Sequence, residues 1–235
     1  MDLSLIEPEP RFFYNATIKQ PSAVTKAIKA KFTCSIADQP GAMSSLDTNL
    51  ITICSNVLKV YTLTNNSMDL RMSQSFNDKI IDVLAVPSGK FAHRQAKQDS
   101  LAQKGGSRKR IDVEQLMEDE ENIIEEAKLT PEYLFVLTDS FHCALLAYNQ
   151  TQHSLEVVSR GNVAEKSNGE RREPPYSVFL GEGGAFVALM LYENVLKVIP
   201  LVAHDGGRHL MQLTNAINVR IRHSEVSQVV PVFSG

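Results

Sequence analysis

The pentapeptide Asn-Val-Leu-Lys-Val occurs twice in this chain of 235 residues, at Asn56–Val60 and again at Asn194–Val198. A short apolar run precedes each copy, and a leucine follows three residues after each, at Leu63 and Leu201. A five-residue match with matching flanks indicates a repeated structural unit, and such a repeat constrains the fold more strongly than any local motif. The sequence therefore predicts an architecture assembled from copies of one small unit.

Three segments share the plan of this unit, which is an apolar run, a polar break and a second apolar run. Runs of five to eight residues rich in Val, Ile, Leu and Thr, bounded by Asn, Asp, Gly, Ser or Pro, are typical of strands. Each segment is predicted to be a β-hairpin with short strands suited to a twisted antiparallel sheet. The segments are NLITICSNVLKVYTL at residues 49–63, EYLFVLTDSFHCALLAY at 132–148 and AFVALMLYENVLKVIPL at 185–201.

The spacing of the hairpins predicts a β-propeller. Leu134 and Val187 hold corresponding positions and lie 53 residues apart, whereas Leu50 and Leu134 are 84 residues apart. The longer interval contains an insertion of about 40 residues, and removing it leaves a step close to the usual blade period of about 40–50 residues. We expect an all-β fold, a partial β-propeller with about three blades and the start of a fourth.

Further strands are predicted around the hairpins, and the last two are assigned to the next unit. They lie at residues 24–32, 80–86, 154–158 and 176–180, followed by 217–221 and 226–233. The predicted domain plan is an N-terminal extension at 1–13, first propeller blades at 14–87, an insertion at 88–131 and further blades at 132–235. The chain is expected to stop inside the fourth blade, as a fragment or a truncated gene product.

The insertion at 88–131 differs in composition from the rest of the chain. Its first part is basic and rich in Gly, Ser and Gln, and its second part, residues 111–128, holds eight carboxylates. This composition predicts a solvated loop followed by a charged helix. A basic cluster in the loop is a candidate nuclear-import patch, with nucleic-acid contact less favoured because no aromatic side chains are interleaved with it. The cluster consists of Lys104, Arg108, Lys109 and Arg110.

The overall composition excludes several classes of protein. A formal net charge of −3 argues against a globally basic nucleic-acid binder or a membrane-surface protein. No run of about 18 apolar residues predicts a membrane span, and the acidic, proline-broken N-terminus is no secretory signal. Cys34, Cys54 and Cys143 form no paired spacing, which favours a reducing compartment. We expect a soluble intracellular protein.

No motif in the chain predicts catalysis or a metal site. The six histidines form no HxxxH or HxH pair, and His142 and Cys143, as neighbours in a strand, should point to opposite faces. The glycine cluster Gly181–Gly184 is followed by a strand rather than a helix, so it is predicted to be a turn and not a phosphate loop. GxSxG, HExxH and P-loop motifs are missing from the sequence. We expect neither a catalytic residue nor a metal nor a cofactor.

Five blocks resemble one protein family, that of the large subunit of damage-specific DNA-binding protein. YNATIKQPSAVTKAIKAKFTCS at residues 14–35, followed by NLITICSNVLKVYTL, resembles the start of that family. EYLFVLTDSFHCALLAY is similar to its next blade, and VVSRGNV at 157–163 to one of its turns. LYENVLKVIPL at 191–201 and NAINVRI at 215–221 are similar to two later blocks. The order and spacing of the blocks make the resemblance specific.

The resemblance implies a seven-bladed first propeller in a protein of three propellers. Such proteins are non-enzymatic adaptors of cullin–RING ubiquitin ligases in nuclear DNA repair and protein turnover. Their first and third propellers form a cleft for substrate receptors, and the second binds the cullin. Two paralogous families share the architecture, the large subunit of the cleavage and polyadenylation specificity factor and the splicing factor 3b propeller subunit, and both offer an RNA-processing alternative. The Lys-Val-Ile-Pro-Leu block at 197–201 favours the first family.

The resemblance also supplies candidate partner-binding residues, Asn162 and Lys166. Lys166 keeps the first positive charge of the family's loop, while the second is displaced to Arg171 and Arg172. The expected partners are substrate receptors and the rest of the ligase complex, with nucleic acid contacted only indirectly or weakly, no membrane and no small-molecule substrate. The expected location is the nucleus, with the cytoplasm as a second site. Because open blade faces and edges favour association, residues 1–235 alone are expected to be aggregation-prone or bound to chaperones.

Overall fold

The computed structural model describes residues 22–33, 48–63, 67–88, 132–165, 170–203 and 211–221. Within these ranges the chain forms thirteen β-strands and one short 3₁₀ turn at Glu182–Gly184. The strands make three antiparallel sheets. The N-terminal extension at 1–13 and, apart from Ser88, the insertion at 88–131 lie outside the described residues, so the predictions for them stay predictions.

The first sheet contains the first predicted hairpin. Its strands pair in chain order, and Cys54 pairs with Val57 across the two-residue turn Ser55-Asn56. The apolar residues Ile51 and Val60 face each other in this register, which confirms the hairpin. The four strands are β1 (Lys26–Ala30), β2 (Asn49–Cys54), β3 (Val57–Leu63) and β4 (Met68–Ser75).

The second sheet contains the second predicted hairpin and the position of the insertion. Val86 pairs with Tyr133, so the chain leaves and re-enters this sheet at two paired strand ends. Residues 89–131 therefore connect the first and second strands of one sheet and do not separate two sheets. In order, the strands are β5 (Ile80–Val86), β6 (Tyr133–Thr138), β7 (His142–Asn149) and β8 (Ser154–Asn162).

The third sheet corrects one prediction. Residues 217–221 were expected to open the next unit, but Val198 pairs with Ile217 and Val195 with Arg220. The outer strand of this sheet is broken at residues 214–216, and both of its parts pair with the same neighbour. Residues 226–233 lie outside the described residues. The strands are β9 (Ser177–Leu180), β10 (Phe186–Tyr192), β11 (Val195–Ala203), β12 (Met211–Leu213) and β13 (Ile217–Arg220).

All three sheets have a bulge at the same place in their outer pair of strands. The register between β3 and β4 shifts after Val60, and that between β7 and β8 shifts after Leu145. In the third sheet the register moves by one residue between the pairs made by β13, which end at Val198, and those made by β12. Each shift follows the fourth residue of the third strand. The sheets are therefore three copies of one unit.

The sheets stack face to face through two apolar clusters. The first strands of successive sheets contact each other, β1 with β5 and β5 with β9, so these strands lie along the inner side of the stack. This arrangement confirms a partial β-propeller, and we call the sheets the first, second and third blades. The first interface includes Ile51, Leu58, Val83 and Val136, and the second includes Phe135, Leu145, Leu189 and Ile199.

Candidate partner-binding surface

One hydrogen bond recurs at the same end of all three blades. In each blade the residue before the third strand accepts a backbone hydrogen bond from the residue that follows the outer strand. The turns between the second and third strands and the blade-to-blade crossings therefore lie at one end, which we call the crossing face. Such loops on a rigid scaffold are where binding residues concentrate. The bonds run from Phe76 to Asn56, from Val163 to Phe141 and from Ile221 to Asn194, with N···O distances of 2.8, 2.9 and 2.8 Å.

Arg171 fixes the crossing from the second to the third blade. Its guanidinium lies 4.2 Å from the ring centroid of Phe141. Its Nε donates a hydrogen bond to the hydroxyl of Tyr176 at 3.0 Å, and its Nη2 donates to the backbone carbonyl of Asp139, also at 3.0 Å. Cation–π contacts add to these bonds. Arg171 therefore connects the crossing to the turn of the second blade.

Lys197, in the second copy of the pentapeptide, forms a buried ion pair. Its Nζ lies 2.8 Å from Oε2 of Glu165 and donates a hydrogen bond to Oδ1 of Asn218 at 2.9 Å. The side chain of Lys197 is 4% exposed. The backbone N–H of Glu165 donates to the hydroxyl of Tyr192 at 2.7 Å. The pair therefore joins the crossing to the third blade.

Asp78, Ser140 and His142 form a second polar cluster on the crossing face. The hydroxyl of Ser140 donates to the carboxylate of Asp78 and lies 2.9 Å from Nδ1 of His142, which is 3.5 Å from Oδ2 of Asp78. This hydrogen bond from Ser140 is the main cause that lowers the pKa of Asp78. In a catalytic triad the histidine lies between serine and aspartate and uses both ring nitrogens. Here one nitrogen faces both groups, so the cluster anchors the turn without activating the serine.

Asn162, predicted to contact partners, ends the outer strand of the second blade. It is exposed, and its Oδ1 accepts a hydrogen bond from the backbone N–H of Ala164 at 2.8 Å. That bond shapes the start of the crossing, and its role in partner binding stays a prediction. The other predicted site residues, Lys166, Lys104, Arg108, Lys109 and Arg110, lie outside the described residues.

The cysteines in the described ranges, Cys54 and Cys143, are buried and free. Burial raises the pKa of Cys143 to about 11, so its thiol stays protonated at neutral pH and is a poor metal ligand. The side chain of His142 is 58% exposed, which confirms that it and Cys143 point to opposite faces. Across the part of the chain that the structure describes, no three His, Cys, Asp or Glu side chains are grouped so as to hold a metal ion.

The glycine cluster forms the predicted turn between β9 and β10. The N–H of Gly181 donates to the carbonyl of Phe186 at 2.8 Å. Gly183 and Gly184 have φ angles of 63° and 75°, a region that favours glycine. A Cβ on Gly181 would collide with the ring of Phe186, so close approach of backbone and ring also requires glycine. The cluster closes a hairpin and forms no phosphate loop.

Sequence reasoning missed a groove on the outer side of the stack. Two cavities, of about 490 and 360 Å³, lie on the two sides of the second blade, and Arg160 lines both. Arg160 could have been noticed as the position that pairs with Ala144 across β7 and β8. The open space beside Ala144 could not be read from the sequence, because it depends on how the second blade packs against the end of β4 in the first blade.

Three stacked antiparallel sheets of four, four and five strands, with the blade-to-blade crossings on one face, define a β-propeller domain. Residues 23–233 match the family described as the RSE1/DDB1/CPSF1 first beta-propeller, and the chain belongs to this family. The match confirms the resemblance found in the sequence and includes the two paralogous groups. No curated protein is similar enough to the chain to count as a match. Within the described ranges, no helix is long and apolar enough to cross a membrane.

Proposed function

We propose that the chain is the first-propeller part of an adaptor of cullin–RING ubiquitin ligases that act in DNA repair and protein turnover. The observation that carries this proposal is the block LYENVLKVIPL at 191–201 within a domain of the RSE1/DDB1/CPSF1 family. The block forms the end of β10 and most of β11, and its lysine makes the buried pair with Glu165. The block resembles the ligase-adaptor branch more than the RNA-processing branches.

In this function the blades present loops to partners in a fixed geometry. Two apolar clusters hold successive blades together, and the crossing between the second and third blades is attached on both sides, by Arg171 to Asp139 and by Glu165 to Lys197. Because these contacts hold residues 163–165 and 170–172 of the crossing in place before a partner arrives, binding there loses less conformational entropy. The partners are substrate receptors and the other subunits of the complex, and the crossing face is where we place their contacts.

The proposed protein has no catalytic activity of its own and uses no cofactor. The support for this is the polar cluster that most resembles a triad. The hydroxyl of Ser140 donates to the carboxylate of Asp78, and His142 presents the same ring nitrogen to both groups, so the histidine does not bridge serine and aspartate as it does in a catalytic triad. We also propose a nuclear location, with the basic cluster at 104–110 as the import patch.

The alternative is the RNA-processing role of the paralogous subunits, in pre-mRNA cleavage and polyadenylation or in splicing. The family match covers these subunits as well as the ligase adaptor. The basic cluster Lys104–Arg110 would then supply a contact to nucleic acid.

Affinity purification of the full-length gene product, followed by mass spectrometry, tests both proposals. Recovery of a cullin together with substrate-receptor proteins supports the ligase adaptor. Recovery of polyadenylation or spliceosomal subunits, without a cullin, supports the alternative. If neither set is recovered, both proposals are wrong.

A further inference from the structure

The groove between the first and second blades combines an apolar floor with one arginine. It has a volume of about 490 Å³, which is within the usual range of about 300–1,000 Å³ for ligand sites. Its floor on the second blade includes Ala144, Leu146, Leu155 and Val157, and its other side is the end of β4. Arg160 lies at its margin and is exposed.

Corresponding positions in the three blades explain why this groove is open. The third residue of the third strand is Lys59 in the first blade, Ala144 in the second and Lys197 in the third. In the third blade the lysine stem and ammonium occupy the space between blades. Alanine at the same position of the second blade leaves that space empty.

The positive charge of the second blade lies on the neighbouring strand instead. Arg160 pairs in register with Ala144, as Asn218 does with Lys197. Its guanidinium makes no hydrogen bond or ion pair with any residue of the described ranges. The second blade therefore keeps a cation at this position but supplies no anion to it.

The acidic residue that corresponds to Glu165 is Asp78, which already pairs with residues other than Arg160. Asp78 and Glu165 both lie two residues beyond the donor of the recurring hydrogen bond, Phe76 in one blade and Val163 in the other. Glu165 pairs with Lys197, whereas the carboxylate of Asp78 accepts from Ser140 and lies beside His142. Arg160 is thus left without the intramolecular partner that completes the third blade.

We infer that this groove binds an extended segment of a partner protein through an aliphatic side chain and an adjacent carboxylate. The carboxylate pairs with the guanidinium of Arg160, which matches it in a bidentate geometry. The aliphatic side chain packs on Ala144, Leu146 and Val157, the last of which is 39% exposed. A nucleic-acid backbone fits less well, because the groove offers one cation, an apolar floor and the carboxylate of Asp78. The inference holds for either assembly considered above.

A library of short random peptides displayed on phage, selected on the full-length protein, tests this inference. Aliphatic residues next to Asp or Glu should be enriched on the wild type. A selected peptide should bind the Arg160→Gln variant about tenfold more weakly, a loss of about 1.4 kcal/mol. Arg71→Gln is the matched control, because Arg71 is an exposed arginine on β4 outside the groove, and this variant should bind like the wild type.

A second variant tests the cavity itself. Ala144→Lys places the lysine of the third blade in the groove and should remove binding while the protein still melts cooperatively. Equal enrichment on the wild type and on Arg160→Gln would overturn the inference. So would tight binding of a single-stranded oligonucleotide that is lost in Arg160→Gln, because the groove would then be a nucleic-acid site.

Discussion

The two copies of Asn-Val-Leu-Lys-Val have the same sequence and the same place in their blades, yet their lysines lie in different environments. Lys197 is buried against Glu165 and Asn218. Lys59 is half-exposed and forms no hydrogen bond or ion pair within the described ranges. Glu165 reaches Lys197 because it lies on the crossing that leads into the third blade. The pentapeptide therefore determines the strand and the face on which its lysine lies. The crossing that precedes the blade determines whether that lysine has an acidic partner.

The turns at the start of the two copies differ as well. Both are two-residue turns, but the positive φ is at the first residue of one, Ser55 at 58°, and at the second residue of the other, Asn194 at 59°. The same hydrogen bond to the end of the outer strand forms in both. Equivalent contacts are thus built with different backbone conformations.

The largest difference in stability between the two copies is expected when each lysine is replaced by alanine. Lys197→Ala leaves the carboxylate of Glu165 without its cation, so we expect a loss of about 3–5 kcal/mol in the free energy of unfolding. Lys59→Ala should change it by no more than about 0.5 kcal/mol, as for other surface substitutions. Denaturant titration of the two variants measures both values. Equal losses would show that Lys59 has a hidden partner of equal importance.

The leucines of the two copies should differ next. Leu58 is fully buried between the first and second blades. Leu196 holds the same position in its strand but is only half-buried, on the face of the third blade that points away from the second blade. Leu58→Ala should cost about 3 kcal/mol through lost burial and a residual cavity, and Leu196→Ala about 1 kcal/mol through the smaller apolar area. The same denaturant titration compares them. A larger loss for Leu196→Ala would mean that its face is covered in solution.

Substitution by glycine should stabilise one of the two turns and leave the other nearly unchanged. Ser55→Gly relieves a left-handed conformation and should stabilise the protein by about 1 kcal/mol, since this region disfavours side chains other than Asn and Asp. Asn194→Gly should have little effect, because asparagine tolerates the region. Thermal melting of both variants is the measurement. Stabilisation by Asn194→Gly alone would contradict the assignment of strain to Ser55.

The smallest effect is expected for two carboxylates between the first and second blades, Asp78 and Asp82. Their pKa values should be shifted in opposite directions from the ordinary value. Burial raises the pKa of Asp82 above its ordinary 3.8 despite the ion pair with Lys26, so its contribution to stability is lost as the pH rises through the raised pKa. The hydrogen bond from Ser140 lowers the pKa of Asp78, so its contribution is lost as the pH falls through the lowered pKa. Carboxyl-carbon NMR titration should place the two midpoints on opposite sides of 3.8, and a common midpoint would refute this.

The strands predicted correctly are those that are apolar on both faces or that alternate clearly between apolar and polar residues. The three hairpins and the strand at 80–86 were predicted correctly because their residues pack against a neighbouring blade. The strand β4 was missed, since nearly all of its side chains are exposed and it shows no apolar period. Residues 217–221 were wrongly assigned to another unit, because the break at 214–216 separates them from the first part of the same outer strand.

The site was less predictable than the fold. The lysine of the repeat was visible in the sequence, but the pairing of Lys197 with Glu165 depends on the path of the crossing. Arg171 was noted only as a displaced charge, and its stacking on Phe141 required the two turns to be brought together in space. Neither contact follows from spacing, because each joins residues more than one strand apart.

The shared bulge limits how another chain can add to these blades. Arg71 and Val158 are skipped in the pairing of their outer strands, so the free edge of each strand changes phase at that point. A foreign strand that aligns with one half of the edge is out of phase with the other half. Each blade therefore offers only a short template for edge-to-edge growth, and every copy of the unit contains this protection.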